Sequence, residues 1–430
     1  MVIANISTPL LSLIDTAVMG HLDNANFLAA VAIAGLIFSF LFWGFGFLRM
    51  GTTGLSSQAF GANDKLELKA ILARGLFLAI SIATLILLLQ QTIASLSFYL
   101  IHTQAELKPL AQQYFFIRIW SAPATLSQYV ILGWFLGRQN TRSPLLIVLT
   151  TNLCNILFDL LFVIQYGMNT DGVALASVLA EYIGLLLALI LLAKSIPSST
   201  RHLSWRYIFQ AHKLKAMLLI NSHLFIRTLC LIFAFAFFTV QGGKFGSSIL
   251  AANAVLLNFQ TFMAYALDGF AHAAEALVGR SLGEHNKKRL QQSIRTTGLW
   301  SLLIALLFTL FYGYAGKDII NHLTHIHAVR EPAYEYLPWV IALPLVSFYS
   351  FLMDGVFVGA TLSRQMRNTV LFSLLAVFLP VWYFTQHLNN HGLWLALTLF
   401  MLVRSLIMLS YYLHNKPTLL LKAPHSSIEK

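Results

Sequence analysis

The chain has 430 residues and a formal net charge of +12, yet only 10% of its residues are charged and 58% are hydrophobic. A soluble domain carries roughly 25% charged residues, so these proportions exclude a water-soluble globular protein, and a mean hydropathy of +0.72 points the same way. No Walker loop GxxxxGK[ST], no GxSxG and no HExxH occurs, which leaves ATP hydrolysis, hydrolase chemistry and a catalytic or metal-ligating set without support.

A bilayer core of about 30 Å needs about 20 apolar residues per helix. Read on that scale, the chain predicts twelve spans, at roughly 4–22, 27–58, 74–100, 108–137, 143–166, 171–193, 216–241, 247–281, 294–316, 332–360, 368–388 and 391–414. The expected fold class is an all-α membrane protein. The opening MVIANISTPLLSLID has neither a basic n-region nor a small-residue cleavage site, so it reads as a retained first helix and not as a signal peptide. Pro9 removes a backbone hydrogen bond six residues before Asp15 and bends that helix. Cys154 and Cys230 fall inside spans and read as small apolar packers.

The second span repeats in the eighth. Laid over Leu250–Lys287 without a gap, Leu28–Lys65 meets identical residues at Leu28, Ala29, Ala30, Ala32, Phe40, Gly61 and Lys65, an offset of 222. The same offset pairs Tyr114 with Tyr336, Gly133 with Gly355, Phe135 with Phe357, Gly137 with Gly359 and Arg142 with Arg364. One register recovered in distant windows predicts a duplicated bundle: two parallel-repeat six-helix lobes around a central cavity, a design that recurs in secondary transporters. Gly133 and Gly137, like Gly355 and Gly359, have the GxxxG spacing of closely packed helices.

Basic residues mark the orientation. Twenty Lys and Arg follow the even-numbered spans or close the chain, whereas Lys108, Lys244, Lys317 and Arg330 alone lie on the opposite side. The positive-inside rule puts both termini and the central loop in the cytoplasm and explains the net charge without a nucleic-acid partner. The expected organisation is a first lobe at 1–195, a cytoplasmic linker at 196–215, a second lobe at 216–415 and a cytoplasmic tail at 416–430. Trp205, Tyr207, Ile208 and Phe209 stand among basic residues, so part of the linker is expected on the membrane surface as a short amphipathic helix.

Ionisable residues inside spans are costly and therefore functional candidates. The acids are Asp15, Asp159, Glu181, Asp268, Glu275 and Asp354; the bases are Arg49, Arg118, Arg227 and Arg404, with His272 beside the span-eight acids. Asn155 and Asp159 lie four apart on one helical face, and with Asp15 they form a candidate site for H⁺ or Na⁺, since a buried carboxylate gains proton affinity. The competing role for Asp15 and Asp159 is pairing with Arg49 or Arg118 to hold the bundle. In the second half the polar candidates are Asp268, Glu275, Asp354, Asn258 and Gln260; Asp268 or Glu275 is read as an ion-pair partner for Arg227 or Arg404. Phe40, Trp43, Phe262 and Tyr265 are the aromatic candidates for a cavity that takes flat or cationic compounds.

With these segments in place, the chain resembles a multidrug and toxic compound extrusion (MATE) transporter of the DinF-like branch. The resemblance rests on IDTAVMGHL (Ile14–Leu22), SSQAFGANDK (Ser56–Lys65), LGWFLGRQNTRSP (Leu132–Pro144), NILFD (Asn155–Asp159) and NAVLLNFQTFMAYALDGFAHAAEALVGRSLG (Asn253–Gly283). It implies a secondary active antiporter in a bacterial-type plasma (inner) membrane, exporting organic cations or other amphipathic drugs in exchange for H⁺ or Na⁺ by alternating access. It also implies no cofactor beyond the coupling ion, no enzymatic activity, membrane lipids as surroundings, and a monomer. The family's first-lobe acidic site carries over to Asp15 and the Asn155/Asp159 pair, and Gln128 is the candidate for its span-four polar residue. Span seven departs from the acids of other branches, having none, while span ten offers Asp354. A lipid or glycolipid flippase of the same wider superfamily is the alternative, because Arg49, Arg118, Arg227 and Arg404 would suit a cationic cavity.

The basic asymmetry generates a topological prediction. Single cysteines at Ser199 and at Asn389 are expected to label from opposite sides of the membrane with an impermeant maleimide; same-side labelling would overturn the twelve-span map.

Overall fold

The computed structural model describes residues 25–101, 104–196 and 204–419, and the expected first span with its Asp15 lies outside them. All regular elements among the described residues are helical: α1 (Ala25–Gly44), α2 (Phe47–Gly61), α3 (Lys65–Leu88), α4 (Gln90–Leu100), α5 (Lys108–Arg118), α6 (Ala122–Gly137), α7 (Arg142–Asp159) and α8 (Thr170–Ser195). A short α9 (Trp205–Ile208) precedes α10 (Ala211–Gly243), α11 (Ser247–Gly283), α12 (Lys287–Leu323), α13 (His327–Gly359), α14 (Ser363–Phe372), α15 (Leu379–Phe384) and α16 (Asn390–Leu419). Ten stretches of the described residues are long and apolar enough to cross a membrane. The helices form two compact units, the first ending at Lys215 and the second beginning at Ala216.

Several expected boundaries shift, each for a local reason. The span read at 27–58 bends at Phe45–Gly46, between α1 and α2. The helix read as starting at 74 begins at Lys65, because Asp64 caps it, its Oδ1 accepting from the Glu67 N–H at 2.9 Å. That helix stops at Leu88, and α4 follows it at Gln90. The fourth span breaks in its middle: α5 tightens into a 3₁₀ turn at Ile119–Ser121, and Pro123, which lacks an N–H, sits at the start of α6 where none is needed. In the second unit α16 runs on to Leu419, into the segment read as tail.

The 222-residue offset read from the sequence is written into the backbone of each unit. Non-glycine residues with positive φ are rare, yet Asn63 (φ 56°) recurs as His285 (53°) and Gln139 (61°) as Thr361 (55°). A third pair sets Gly167 (67°) against Asn389 (50°). The first two pairs are left-handed caps of the Schellman type. The Asp64 and Asn286 N–H groups donate back to the Ala59 and Ser281 carbonyls at 3.0 and 2.9 Å, and those of Asn140 and Leu362 to Phe135 and Phe357 at 3.0 and 2.8 Å. Asn286 also repeats the cap of Asp64, accepting from the Arg289 N–H at 2.9 Å.

The GxxxG pairs repeat their packing as well. A Cβ on Gly133 would collide with the backbone carbonyl of Arg49, and one on Gly355 with that of Ala271, the residue 222 further on. One turn later, a Cβ on Gly137 would lie 2.9 Å from the Thr53 carbonyl, and one on Gly359 2.5 Å from that of Glu275. In both units the second and fourth spans thus approach backbone to backbone, as small residues at i and i+4 permit.

Around these seams each unit packs its own core. In the first, Phe38 stacks on Phe115 with centroids 5.2 Å apart, and the Trp134 indole N–H of α6 donates to the Leu68 carbonyl of α3 at 2.8 Å. In the second, Phe238, Phe378, Trp394 and Phe400 are fully buried in one apolar cluster. The described end of the linker is fastened to α3 by charge. Buried Arg74 donates to Glu67 Oε1 and to the Ile208 carbonyl, both at 2.7 Å, while Lys213 Nζ donates to Glu67 Oε2 at 2.5 Å. Tyr207 donates its hydroxyl to the same oxygen at 2.9 Å; burial pushes that phenol up, so it stays a donor across the physiological range. Trp205 is 75% exposed and stacks on Phe209, which meets Phe77 edge-on.

The glycine seams make a stability prediction. Gly133→Ala and Gly355→Ala each force a backbone shift and are expected to cost about 1–3 kcal/mol, the range for overpacking. Gly313, whose Cβ would meet open space, is the control: Gly313→Ala should be neutral or stabilise by up to about 1 kcal/mol. Thermal unfolding of the detergent-solubilised chain checks the difference.

Candidate functional site

In the first unit the polar residues of three spans converge. On α7, Thr151, Asn155 and Asp159 follow at four-residue spacing and share one face. Asn155 is buried and donates from Nδ2 to Ser177 Oγ on α8 at 3.3 Å. Asp159 has no exposed surface and ends α7, where the helix widens into a π turn at Leu160–Gln165; π turns inside helices recur at functional sites. At the other end of the interface Gly184 leaves room for the Thr151 hydroxyl, which a Cβ there would strike. Glu181, one turn beyond Ser177, accepts from Gln128 of α6: the Gln128 Nε2 donates to both the Glu181 carboxylate Oε2 and its backbone carbonyl, each at 2.8 Å.

Of the residues singled out from the sequence, Asn155, Asp159 and Gln128 therefore lie in one polar seam of this unit, and Asp15 lies outside the described residues. The sequence also named Glu181 as an intramembrane acid but gave it no role; the contact from Gln128 is what brings it forward. Ser177 was missed, since one serine in a small-residue run carries no signal until its partner helix is placed. Arg118 lies with its guanidinium carbon 5.5 Å from the Phe38 ring centre and 5.9 Å from that of Tyr114. Phe40 and Trp43 are 36% and 41% exposed.

The second unit holds charge differently, and here an expectation is corrected. Arg227 of α10 and Arg404 of α16 are not committed to Asp268 or Glu275. Both donate to Oδ2 of Asp354 on α13, Arg404 at 2.9 Å. Asp354 and Arg404 are buried. The guanidinium of Arg404 also rests over the Phe400 ring, 5.6 Å from its centre. Three helices converge on one carboxylate oxygen, and Asp268 lies within electrostatic reach of Arg404 without a direct bond between them. Glu275 and Gln260 are buried on α11, Asn258 is exposed, Tyr265 is partly buried and Phe262 is 39% exposed. Asn253, further up that helix, is locked into an amide pair with Asn390 at 2.8 and 3.0 Å, and the Trp394 indole N–H donates to its oxygen at 3.0 Å. That network is structural.

Removing the shared acid should expose the charge problem. Asp354→Ala leaves two guanidinium groups facing each other in low dielectric and is expected to cost about 3–5 kcal/mol, the range for breaking a buried pair. Arg227→Met, which leaves Arg404 paired, should cost less. The order of the two thermal midpoints in detergent is the check.

Comparison with known proteins agrees with this architecture. A family model described as MatE matches residues 1–161 and 224–384. The chain is 40% identical over 416 residues to DNA damage-inducible protein F of Escherichia coli (strain K12), covering 94% of this chain and 88% of that one. It is 21% identical over 394 residues to a probable multidrug resistance protein NorM of Halalkalibacterium halodurans, covering 89% and 85% of the two chains. Among solved structures, one described as MATE in the bent conformation superposes with a TM-score of 0.87 at 18% identity, over 97% of this chain and 94% of that one, which shows the shared fold. The chain belongs to the MATE family, in its DinF-like branch, and is an integral membrane transporter and not an enzyme.

Proposed function

We propose that this chain is a secondary active antiporter that exports organic cations and other amphipathic compounds in exchange for H⁺, with Na⁺ as the other candidate ion, by alternating access. The observation that carries this reading is the polar seam of α7 and α8: Asn155 on Ser177, with fully buried Asp159 one turn away. A carboxyl with neutral amide and hydroxyl neighbours can exist charged or protonated, because hydroxyls both donate and accept. A difference of a few kcal/mol between the two forms is enough to shift a two-state equilibrium. The likeness to a probable multidrug resistance protein supports drug-like substrates, and the basic asymmetry supports cytoplasmic termini in a bacterial-type inner membrane.

The flippase alternative is weakened. It asked for four arginines lining a cationic cavity, and two of the four, Arg227 and Arg404, are held on Asp354.

The test is export of a fluorescent organic cation from proteoliposomes under an imposed ΔpH or ΔpNa. Wild type should respond to one gradient. Asp15→Asn should abolish gradient-driven export while the protein still folds and inserts, and Asp159→Asn should weaken it less if Asp159 supports the ion site without carrying the ion. Asp15→Asn vesicles with wild-type export would move coupling to Asp268, Glu275 or Asp354.

A further inference from the structure

Two helices of the second unit meet at one histidine. His391, the second residue of α16, accepts at Nδ1 from the Trp339 indole N–H of α13 at 3.1 Å, and its Nε2 lies 3.0 Å from Glu335 Oε1 of the same helix. The Tyr336 ring meets the imidazole edge-on, with centroids 4.8 Å apart. An indole N–H is a donor only, so Nδ1 must be bare, and a neutral imidazole then carries its proton on Nε2 and donates it to the Glu335 carboxylate. The partners fix the tautomer and with it the charge: this arrangement belongs to neutral His391.

What the ring bridges is a weak place in α13. Glu335 and Trp339 lie one turn apart with Pro338 between them, one of three prolines inside this helix. A proline has no N–H, so the bond that residue 338 would give to the Tyr334 carbonyl is missing. His391 replaces that lost tie from outside, holding Glu335 before the proline and Trp339 behind it. Its own backbone is fixed on both sides: Asn390 is buried in the amide pair with Asn253, and a Cβ on Gly392 would lie 2.3 Å from the Thr385 carbonyl. At the 222-residue offset the first unit has Gln113, Phe116, Ile117 and Asn169 where the second has Glu335, Pro338, Trp339 and His391. At these positions proline and brace occur together in one unit and are both absent from the other.

The other titratable and charged groups of the surrounding elements are engaged elsewhere or stand further off. On α13, Arg330 is turned to the Thr324 and Asn321 carbonyls and Glu331 to His327. On α12, Lys317 lies over the Tyr334 ring and His322 on the Asp318 carbonyl. Of the elements packed against α16, the π turn Ser373–Phe378 has no ionisable residue, and Arg364 and Arg367 of α14 follow the opposite end of α13. Tyr383 of α15 meets Phe384, and the 3₁₀ turn before Asn389 holds His387. On α11 the ionisable residues begin at Tyr265, beyond Asn253, and α10 ends before the exposed Lys244. The His391 and Glu335 side chains are 43% and 54% exposed and stand where spans ten and twelve begin, so the ring is open to protons from water.

We propose that His391 is a proton-operated brace across Pro338. Neutral, it ties Glu335 and Trp339 to the start of α16. Taking one proton from water at Nδ1 makes both ring nitrogens donors. The Trp339 N–H then faces another N–H and lets go, while the imidazolium stays on Glu335 as an ion pair. The part of α13 beyond the proline loses this tie to α16 and keeps the one at Asp354, which Arg404 of α16 holds. Imidazole is the side chain that changes charge between about pH 5 and 8, so the brace answers to mild acid. In the orientation proposed above, that acid is on the side away from the cytoplasm; the release of Trp339 itself depends neither on that orientation nor on ion coupling.

The experiment uses the full chain in lipid nanodiscs with ¹⁵N-labelled tryptophan, at about pH 8 and about pH 5, and Trp339→Phe identifies the Trp339 indole signal. In wild type that signal should move on acidification. Hydrogen-exchange protection at residues 339–343, corrected for the intrinsic effect of pH, should fall about two- to tenfold, the worth of one hydrogen bond. His391→Gln keeps an acceptor for Trp339 that does not titrate, so its indole signal and its protection should hold their alkaline values in acid. Glu335 and His387 are still present in that variant, so any response of their own would persist. Trp339→Phe removes the donor and should show the lowered protection already in alkaline buffer, which decides the matter if His391→Gln proves unstable. A Trp339 signal that ignores acid in wild type overturns the proposal, as does a fall in protection with acid that either variant retains.

Discussion

The constraint on which the rest of each unit depends is the approach of one helix backbone to another at Gly133 and Gly355. Between lipid-embedded helices there is little hydrophobic drive toward association, because the tails are as apolar as the side chains. Contact must come from close packing, and the closest packing needs residues without a Cβ. Gly133 against the Arg49 carbonyl and Gly355 against that of Ala271 supply it. Once the second and fourth spans are fixed in this way, the rotation of the fourth span is fixed too. In the first unit that rotation sends Trp134 to the Leu68 carbonyl and Gln128 to Glu181.

The two units share this scaffold and have parted in where they bury charge. At the 222-residue offset, Asp159 corresponds to Val381 and Glu181 to Val403, whereas Asp354 corresponds to Leu132 and Arg404 to Tyr182. At three of these four positions one unit is apolar where the other is ionisable, and the fourth sets the Arg404 guanidinium against the Tyr182 phenol. Burying an ion costs several kcal/mol unless it is paired, so such exchanges are tolerated only where partners change with them. Asp354 arrives together with two arginines; Glu181 arrives with the Gln128 amide.

Much of this was legible in the sequence. The repeat, the GxxxG seams and the intramembrane acids are local or periodic signals, and the left-handed caps at Asn63, Gln139, His285 and Thr361 fall at the ends of the repeated segments. Partners were legible only in part. Asn155 and Asp159 could be set on one face of a single helix, but Ser177 required the rotation of a neighbouring one. Arg227 and Arg404 could have met any of three acids in the second half, and periodicity does not choose among Asp268, Glu275 and Asp354. The early start of α3 was missed because hydropathy marks only the lipid-facing length of a helix, while Asp64 begins it in polar surroundings. The break at Ile119–Ser121 was hidden for the same reason: apolar residues continue across it, and Pro123 alone does not say whether a helix bends or restarts.

The contrast between the two charge clusters bears on which can exchange an ion. Asp354 faces two guanidinium groups, so neutralising it would leave both cations unpaired in low dielectric. That cost favours a permanent anchor joining α10, α13 and α16. In the first unit the groups around Asn155, Ser177, Gln128 and Thr125 are amides and hydroxyls, which accept from a protonated carboxyl as readily as they donate to an ionised one. Arg118 of α5 lies over the Phe38 and Tyr114 rings. A cluster built to hold one charge state strengthens a fold, whereas the antiport proposed above asks for neighbours that suit a carboxyl in either state, and amides and hydroxyls are such neighbours.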